Sequence, residues 1–140
     1  LLGDPWFAQP PPKSSGREHF QRAWLAPHLR NGMAAEDVQA TLRELTARTI
    51  ADALRANQAD TRRVLVCGGG VHNPALMDAL RRAMPGVALA STAESGLDPD
   101  HVEAMGCAGL ARQTLQGKPG NLVTVTGAAG PRILGAIHPA

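Results

Sequence analysis

The sequence predicts an α/β fold. Three observations carry that prediction: a short apolar, β-branched run at Val64-Leu65-Val66-Cys67, a glycine triplet followed by an N-cap-plus-proline signal, and a second short apolar run from Val87 to Ser91. Between the two runs Leu76, Met77, Leu80 and Met84 recur at helical spacing, so the segment reads strand, loop, helix, strand. Its length of about 30 residues suits a right-handed crossover between parallel strands.

The elements follow in chain order. Residues 1–12 end in Gln9-Pro10-Pro11-Pro12, where each proline fixes φ and removes an amide donor, so this stretch is expected to be an extended connector. Ser15-Gly16-Arg17-Glu18 has the spacing of a capping box and predicts a helix start, with Phe20, Trp24 and Leu25 on one face. Pro27 or Asn31-Gly32 ends it. Residues 36–57 predict the clearest amphipathic helix: Glu36 and Asp37 fall in its first turn, and Val38, Leu42, Leu45, Ile50, Ala53 and Leu54 form its apolar stripe. Arg43, Glu44, Arg48, Asp52 and Arg55 read as its solvated face.

Val64 to Cys67 suits a strand buried on both faces. Asn73 then caps, and Pro74 opens, a helix that stops at Pro85-Gly86. Asp98-Pro99 repeats the cap signal and predicts a helix to about Gln116, with Gly117 as its stop. Gly106, Ala108, Gly109 and Ala111 make that helix slim, fit to lie between the sheet and another helix. The tail from Leu122 to Pro139 alternates apolar pairs with glycine turns and is read as holding one short strand.

Length and composition narrow the function. The 140 residues suffice for one compact domain, and 44% hydrophobic with 19% charged residues is the composition of a folding chain. Fourteen basic and twelve acidic residues, net +2, are scattered along it without a basic stripe; with two Trp, two Phe and no Tyr, nucleic acid is not an expected partner. No apolar stretch approaches the roughly 20 residues that span a bilayer and no basic-then-apolar leader opens the chain, so no membrane partner is expected and the cytoplasm is the expected location. Cys67 and Cys107 stand apart in apolar runs and read as reduced, buried thiols. The five histidines lack metal-ligand spacing, and no metal site is expected among these residues. Leu1 in place of Met reads as the start of a piece cut from something longer.

The Gly68-Gly69-Gly70 turn is the strongest chemical signal. It lets the backbone take positive φ, and it lets a ligand approach main chain without meeting a Cβ, beside the free amides of a helix start. A nucleotide is one reading; a tight strand-to-helix turn is the other. The Walker pattern is absent. A dinucleotide fingerprint is incomplete, because Asn73 stands where its third glycine belongs and the second strand ends in Ser91-Thr92 rather than an acid, with Glu94 a little further on. A Rossmann-like dinucleotide-binding module without phosphoryl transfer is thus the alternative.

The block from Val64 to Met77 (VLVCGGGVHNPALM) resembles the sequence by which anhydro-N-acetylmuramic acid kinases enter their nucleotide-binding lobe. Pro12 to Phe20, Asp37 to Leu42, Glu44 to Ala47, Glu103-Ala104, Gly120 to Leu122, Val125 to Ala128 and Leu134 to Pro139 also resemble that family's blocks, in its order. The resemblance implies the C-terminal lobe of an actin-like or hexokinase-like two-lobed kinase, with mostly parallel strands flanked by helices. Residues 1–30 would be a connector and interlobe segment with a short helix, and residues 31–140 the nucleotide-binding lobe.

It implies further that ATP with Mg2+ is the cofactor and 1,6-anhydro-N-acetylmuramic acid the substrate, converted to N-acetylmuramic acid 6-phosphate with hydrolytic opening of the anhydro ring in peptidoglycan recycling. Gly68, Gly69, Gly70 and Asn73 would contact the nucleotide. Glu103 matches a family acid expected to face the sugar, although an acid in a first helical turn also stabilises the helix dipole without any ligand. The base aspartate and the phosphate loop are expected upstream, so no catalytic residue is assigned here. This piece alone is expected to be inactive, with the N-terminal lobe as its partner and a homodimer compatible with the reading. Lys13, Ser15 and Arg17 form a polar cluster that could meet substrate or the other lobe.

Overall fold

The computed structural model describes residues 1–16 and 18–138. Arg17 of the polar cluster and Pro139 of the C-terminal block lie outside the described residues. In chain order the elements are α1 (Pro5–Ala8), α2 (Arg22–Leu25), α3 (Ala35–Asn57), β1 (Arg63–Val66), α4 (Pro74–Ala83), β2 (Ala88–Ser91), α5 (Val102–Leu115) and α6 (Val123–Thr126), with single 3-10 turns at Ala26–His28, Gly69–His72 and Thr92–Ser95. They divide into two compact units: Leu1–Gly3 with Arg30–Glu103, and Asp4–Leu29 with Ala104–Ala140.

The first unit is α/β, as the sequence predicts. β1 and β2 pair in parallel, in a register running from Arg63 opposite Ala88 to Val66 opposite Ser91, with α4 as their connection. The side chain of Asn73 accepts the Leu76 amide at 3.2 Å and Pro74 occupies the first turn, so α4 starts where its cap requires. Gly86, at φ +82°, lies in the turn between α4 and β2. Its apolar stripe, Met77, Leu80 and Met84, is buried against Ala47 and Ala51 of α3, and Val64, Val66, Val87 and Leu89 pack around this cluster. Each of the three large side chains contributes roughly 1.5–3 kcal/mol by leaving water. Ala47 and Ala51 are fully buried because only small residues let two helices approach there.

Several expectations are corrected. α3 meets α4 through Ala47, Ala51 and Leu54, of which only Leu54 belongs to the predicted stripe, and Ile50 and Ala53 of that stripe are exposed. β1 is not buried on both faces: Val64 and Val66 face the core, whereas Arg63 and Leu65 are exposed, because α3 and α4 cover only one side. Cys67 continues the uncovered face and Cys107 lies on an exposed stretch of α5, so both thiols are solvent-accessible. α5 buries none of its described residues, so the small-residue stretch expected to lie between sheet and helix is exposed. On the charged side of α3, Arg48 pairs with Glu44 at 3.0 Å and Arg55 with Asp52 at 2.5 Å, as solvated pairs do. Arg43 departs from that face and is half-buried.

In the second unit the first twelve residues are not wholly extended: Asp4 accepts the Trp6 amide at 2.9 Å and caps α1. Among the described residues no helix starts at Ser15, whose hydroxyl contacts His19 Nδ1 at 3.3 Å, and α2 begins at Arg22. Phe7, Phe20, Trp6 and Trp24 form an aromatic cluster, with Phe7 and Phe20 stacked at 5.2 Å. Lys13 lies over the Trp6 ring at 4.4 Å. The tail forms no strand among the described residues. Val123–Thr126 winds into a single helical turn closed by Gly127 at φ +72°, because a β-branched run without a neighbouring strand has no ladder to join. Among the described residues no helix is long and apolar enough to cross a membrane.

Candidate functional site

Parallel pairing sets the carboxyl ends of β1 and β2 side by side, at Val66 and Ser91. In open α/β sheets this edge is where ligands bind, because loops leave it and helix starts point toward it. β1 exits into the glycine turn, and β2 into the Thr92–Ser95 turn, whose first amides are capped by Ser91 Oγ at 3.2 Å from the Ala93 nitrogen.

The three glycines differ in their reasons for being glycine. Gly68 adopts φ +74°, ψ 177°, a conformation that L side chains avoid. A Cβ on Gly70 would touch Leu76 Cδ2 at 3.4 Å, an ordinary contact. Gly69 has no positive φ, and a Cβ there would meet nothing within 4 Å. Neither backbone conformation nor internal packing requires glycine at 69, which leaves a bare stretch of main chain open to an outside group. Beyond the turn itself, the Gly69 and Gly70 amides find no acceptor among the described residues.

The turn is tied to the segment before α5. The Gly68 amide donates to the Pro99 carbonyl at 2.8 Å, and His72 Nε2 lies 2.8 and 2.9 Å from the two carboxylate oxygens of Asp100. Glu103 follows three residues later, exposed in the first turn of α5. Asn73 borders a cleft of about 630 Å³ between α3 and the start of α4, lined also by Gln39, Leu42, Arg43 and Leu76. That volume is in the range of small-molecule sites.

Sequence reasoning missed this cleft and Arg43 within it. The Nε of Arg43 is shielded from solvent and has no hydrogen-bond partner among the described residues. An unpaired buried donor is uncommon in a folded protein, and it is the one signal on α3 that points to an absent acceptor. Charge periodicity could not reveal it, because Arg43 falls in the same charged series as Glu44 and Arg48, which pair with each other at the surface. Thr92, buried at the end of β2, likewise has an unpartnered hydroxyl. A larger groove of about 750 Å³, between Leu1–Gly3 and the first half of α3, holds none of the predicted site residues.

Glu94, the acid nearest the place where a dinucleotide-binding unit would hold a ribose, lies 3.4 Å from Arg63. Lys13 of the predicted polar cluster donates to the Trp6 and Phe7 carbonyls at 3.3 Å. Among the described residues no group of three or more His, Cys, Asp or Glu side chains could hold a metal ion.

The family model described as anhydro-N-acetylmuramic acid kinase matches residues 1–140. Relatives bearing that name show the same extent of similarity. The chain is 60% identical over 141 residues to the protein of Xanthomonas campestris pv. campestris (strain 8004), 57% over 141 residues to that of Xylella fastidiosa (strain Temecula1), and 54% over 142 residues to that of Pseudomonas syringae pv. tomato (strain DC3000). All of this chain is covered in each, against 37%, 37% and 39% of the relatives. The chain thus spans less than two-fifths of the length of the relatives it matches.

Proposed function

Because this chain belongs to the anhydro-N-acetylmuramic acid kinase family, we propose that it forms the nucleotide-binding part of an ATP-dependent kinase acting on 1,6-anhydro-N-acetylmuramic acid. The product is N-acetylmuramic acid 6-phosphate, formed in the bacterial cytoplasm during peptidoglycan recycling. Residues 31–140 serve as the C-terminal lobe of an actin-like, two-lobed enzyme, and residues 1–30 as its connector.

The observation that carries this reading is Gly69: glycine without a conformational or packing need, at the carboxyl edge of a parallel sheet, between two unengaged amides. Phosphate oxygens are natural acceptors for such amides, and the absent Cβ lets them come close. Gly68 and Gly70 shape the turn around that contact, and Asn73 holds the α4 start against it. The cleft beside Asn73 receives the base, with the Arg43 guanidinium against its face or its acceptors. Glu103 faces the sugar.

Mg-ATP supplies, when bound, the phosphoryl group that passes to a sugar hydroxyl. These residues contribute position and charge neutralisation, which dominate catalysis of phosphoryl transfer. Mg2+ would enter with ATP, on its phosphates. The base that activates water for ring opening is assigned to none of the 140 residues, and the remainder of a chain of the relatives' length is the required partner. The dinucleotide alternative gains no support from the relatives named above, each of which is called a kinase.

The test is ADP formation by a chain of the relatives' full length containing these 140 residues. It should depend on both ATP and 1,6-anhydro-N-acetylmuramic acid, while NAD neither binds nor inhibits. ADP formation indifferent to the anhydro sugar, or tight NAD binding, would overturn the reading.

A further inference from the structure

We propose that His72 and Asp100 are positioning residues that hold the glycine turn in the form that accepts a nucleotide; this rests on the nucleotide reading above. The turn has little to fix its shape from within. It contains three glycines, each with more backbone freedom to lose than any other residue, and Val71 is its only side chain packed on the core. Two contacts from one neighbouring segment bracket it. The Gly68 amide is fastened to Pro99 at the first end, and His72 is fastened to Asp100 at the last. Between these fastenings stand Gly69 and Gly70, the two amides without an acceptor beyond the turn.

The pair has a defined sense. A carboxylate only accepts, so His72 Nε2 carries the proton. The backbone of Asp100 is itself held, since its amide donates to Asp98 Oδ1 at 2.9 Å. Both side chains are more than half exposed, at 61% and 54%. An exposed pair adds little to global stability. Its effect is local: it spares the nucleotide the ordering of a loose turn, which is how preorganisation raises affinity. His72 thus acts through the glycines and touches no reacting atom.

The experiment compares His72→Ala, Asp100→Ala, the double variant and His72→Gln in the full-length enzyme, with amide exchange of residues 67–73 followed in the same proteins without nucleotide. The expected result is a rise in KM for ATP of about two- to fivefold, the ceiling for an exposed pair, with kcat and the sugar KM unchanged. The double variant should be no worse than either single one. His72→Gln, which retains a donor for Asp100, should restore KM to near the parent value. Exchange at 67–73 should quicken in His72→Ala while the melting temperature holds. Unchanged exchange, an unchanged KM for ATP, or losses that add in the double variant would each overturn the proposal. A parent enzyme that ignores ATP while exchange still quickens in His72→Ala would instead sink the nucleotide reading and leave the clasp as a purely structural one.

Discussion

The backbone amide of Gly68 donates to the carbonyl of Pro99 at 2.8 Å, joining the turn after β1 to the segment that leads into α5. That bond, at a residue with φ +74° and ψ 177°, makes Gly68 the most conformationally constrained of the three glycines. Replacing it with alanine should cost about 1–3 kcal/mol, the usual strain of a side chain in a glycine-only region. Thermal unfolding should therefore shift down by several degrees in Gly68→Ala, and an unchanged midpoint would show that the turn relaxes freely.

Asn73 separates structure from binding through two substitutions. Asn73→Ala removes the oxygen that accepts the Leu76 amide and should lose about 1 kcal/mol. Asn73→Asp keeps a capping oxygen, so unfolding should be unaffected or slightly delayed. It also places a negative charge beside the proposed phosphate path, so ATP affinity should fall although stability does not. Calorimetric titration alongside thermal melts would check both halves.

Arg43 offers a test in which stability and binding move apart. Arg43→Met keeps much of the side-chain volume and removes an unpaired, shielded donor, so the melting temperature should hold or rise. ATP binding should weaken by about 1 kcal/mol, the scale of a cation–π or single hydrogen-bond contact. Equal affinity in parent and variant would remove the base from this cleft.

The Asp4 carboxyl predicts an acid transition in the second unit. The hydrogen bond from the Trp6 amide, and next that from Trp24 Nε1 at 2.7 Å, hold its pKa below the ordinary 3.8 against the opposing effect of desolvation, and His19 and His28 add to the lowering. A carboxyl with a lowered folded-state pKa binds its proton more weakly folded than unfolded. Its stabilising contribution is thus complete above pH 3.8 and disappears as pH falls through the lower folded value. Tryptophan emission should change in that acid window, and Asp4→Asn should abolish the step. Identical titrations would contradict it.

The β1–α4–β2 unit was legible because its signals are local: an apolar run, glycines at a turn, Asn73-Pro74 at a helix start and Pro85-Gly86 at its stop. Each acts on its own few residues, whatever surrounds them. Burial was not legible. Leu65, Cys67 and the small residues of α5 have the composition of covered positions, yet they are exposed. The second unit is less legible because its local signals meet other partners: the Ser15 hydroxyl contacts His19, and Val123–Thr126 has no strand to pair with among the described residues. Within the site, the glycine turn and Asn73 follow from residue type, whereas the orphaned Nε of Arg43 emerges only once α3 and α4 are packed.

The most direct test of the central claim is Gly69→Val in a full-length enzyme carrying these residues, read by ATP titration and thermal unfolding together. A new side chain at 69 enters open space at an unstrained φ, so stability should stay within about 0.5 kcal/mol of the parent. ATP affinity should fall by more than about tenfold, roughly 1.4 kcal/mol, as the branched side chain occupies the phosphate approach. A folded Gly69→Val protein that binds ATP as tightly as the parent would show that the nucleotide does not meet this turn.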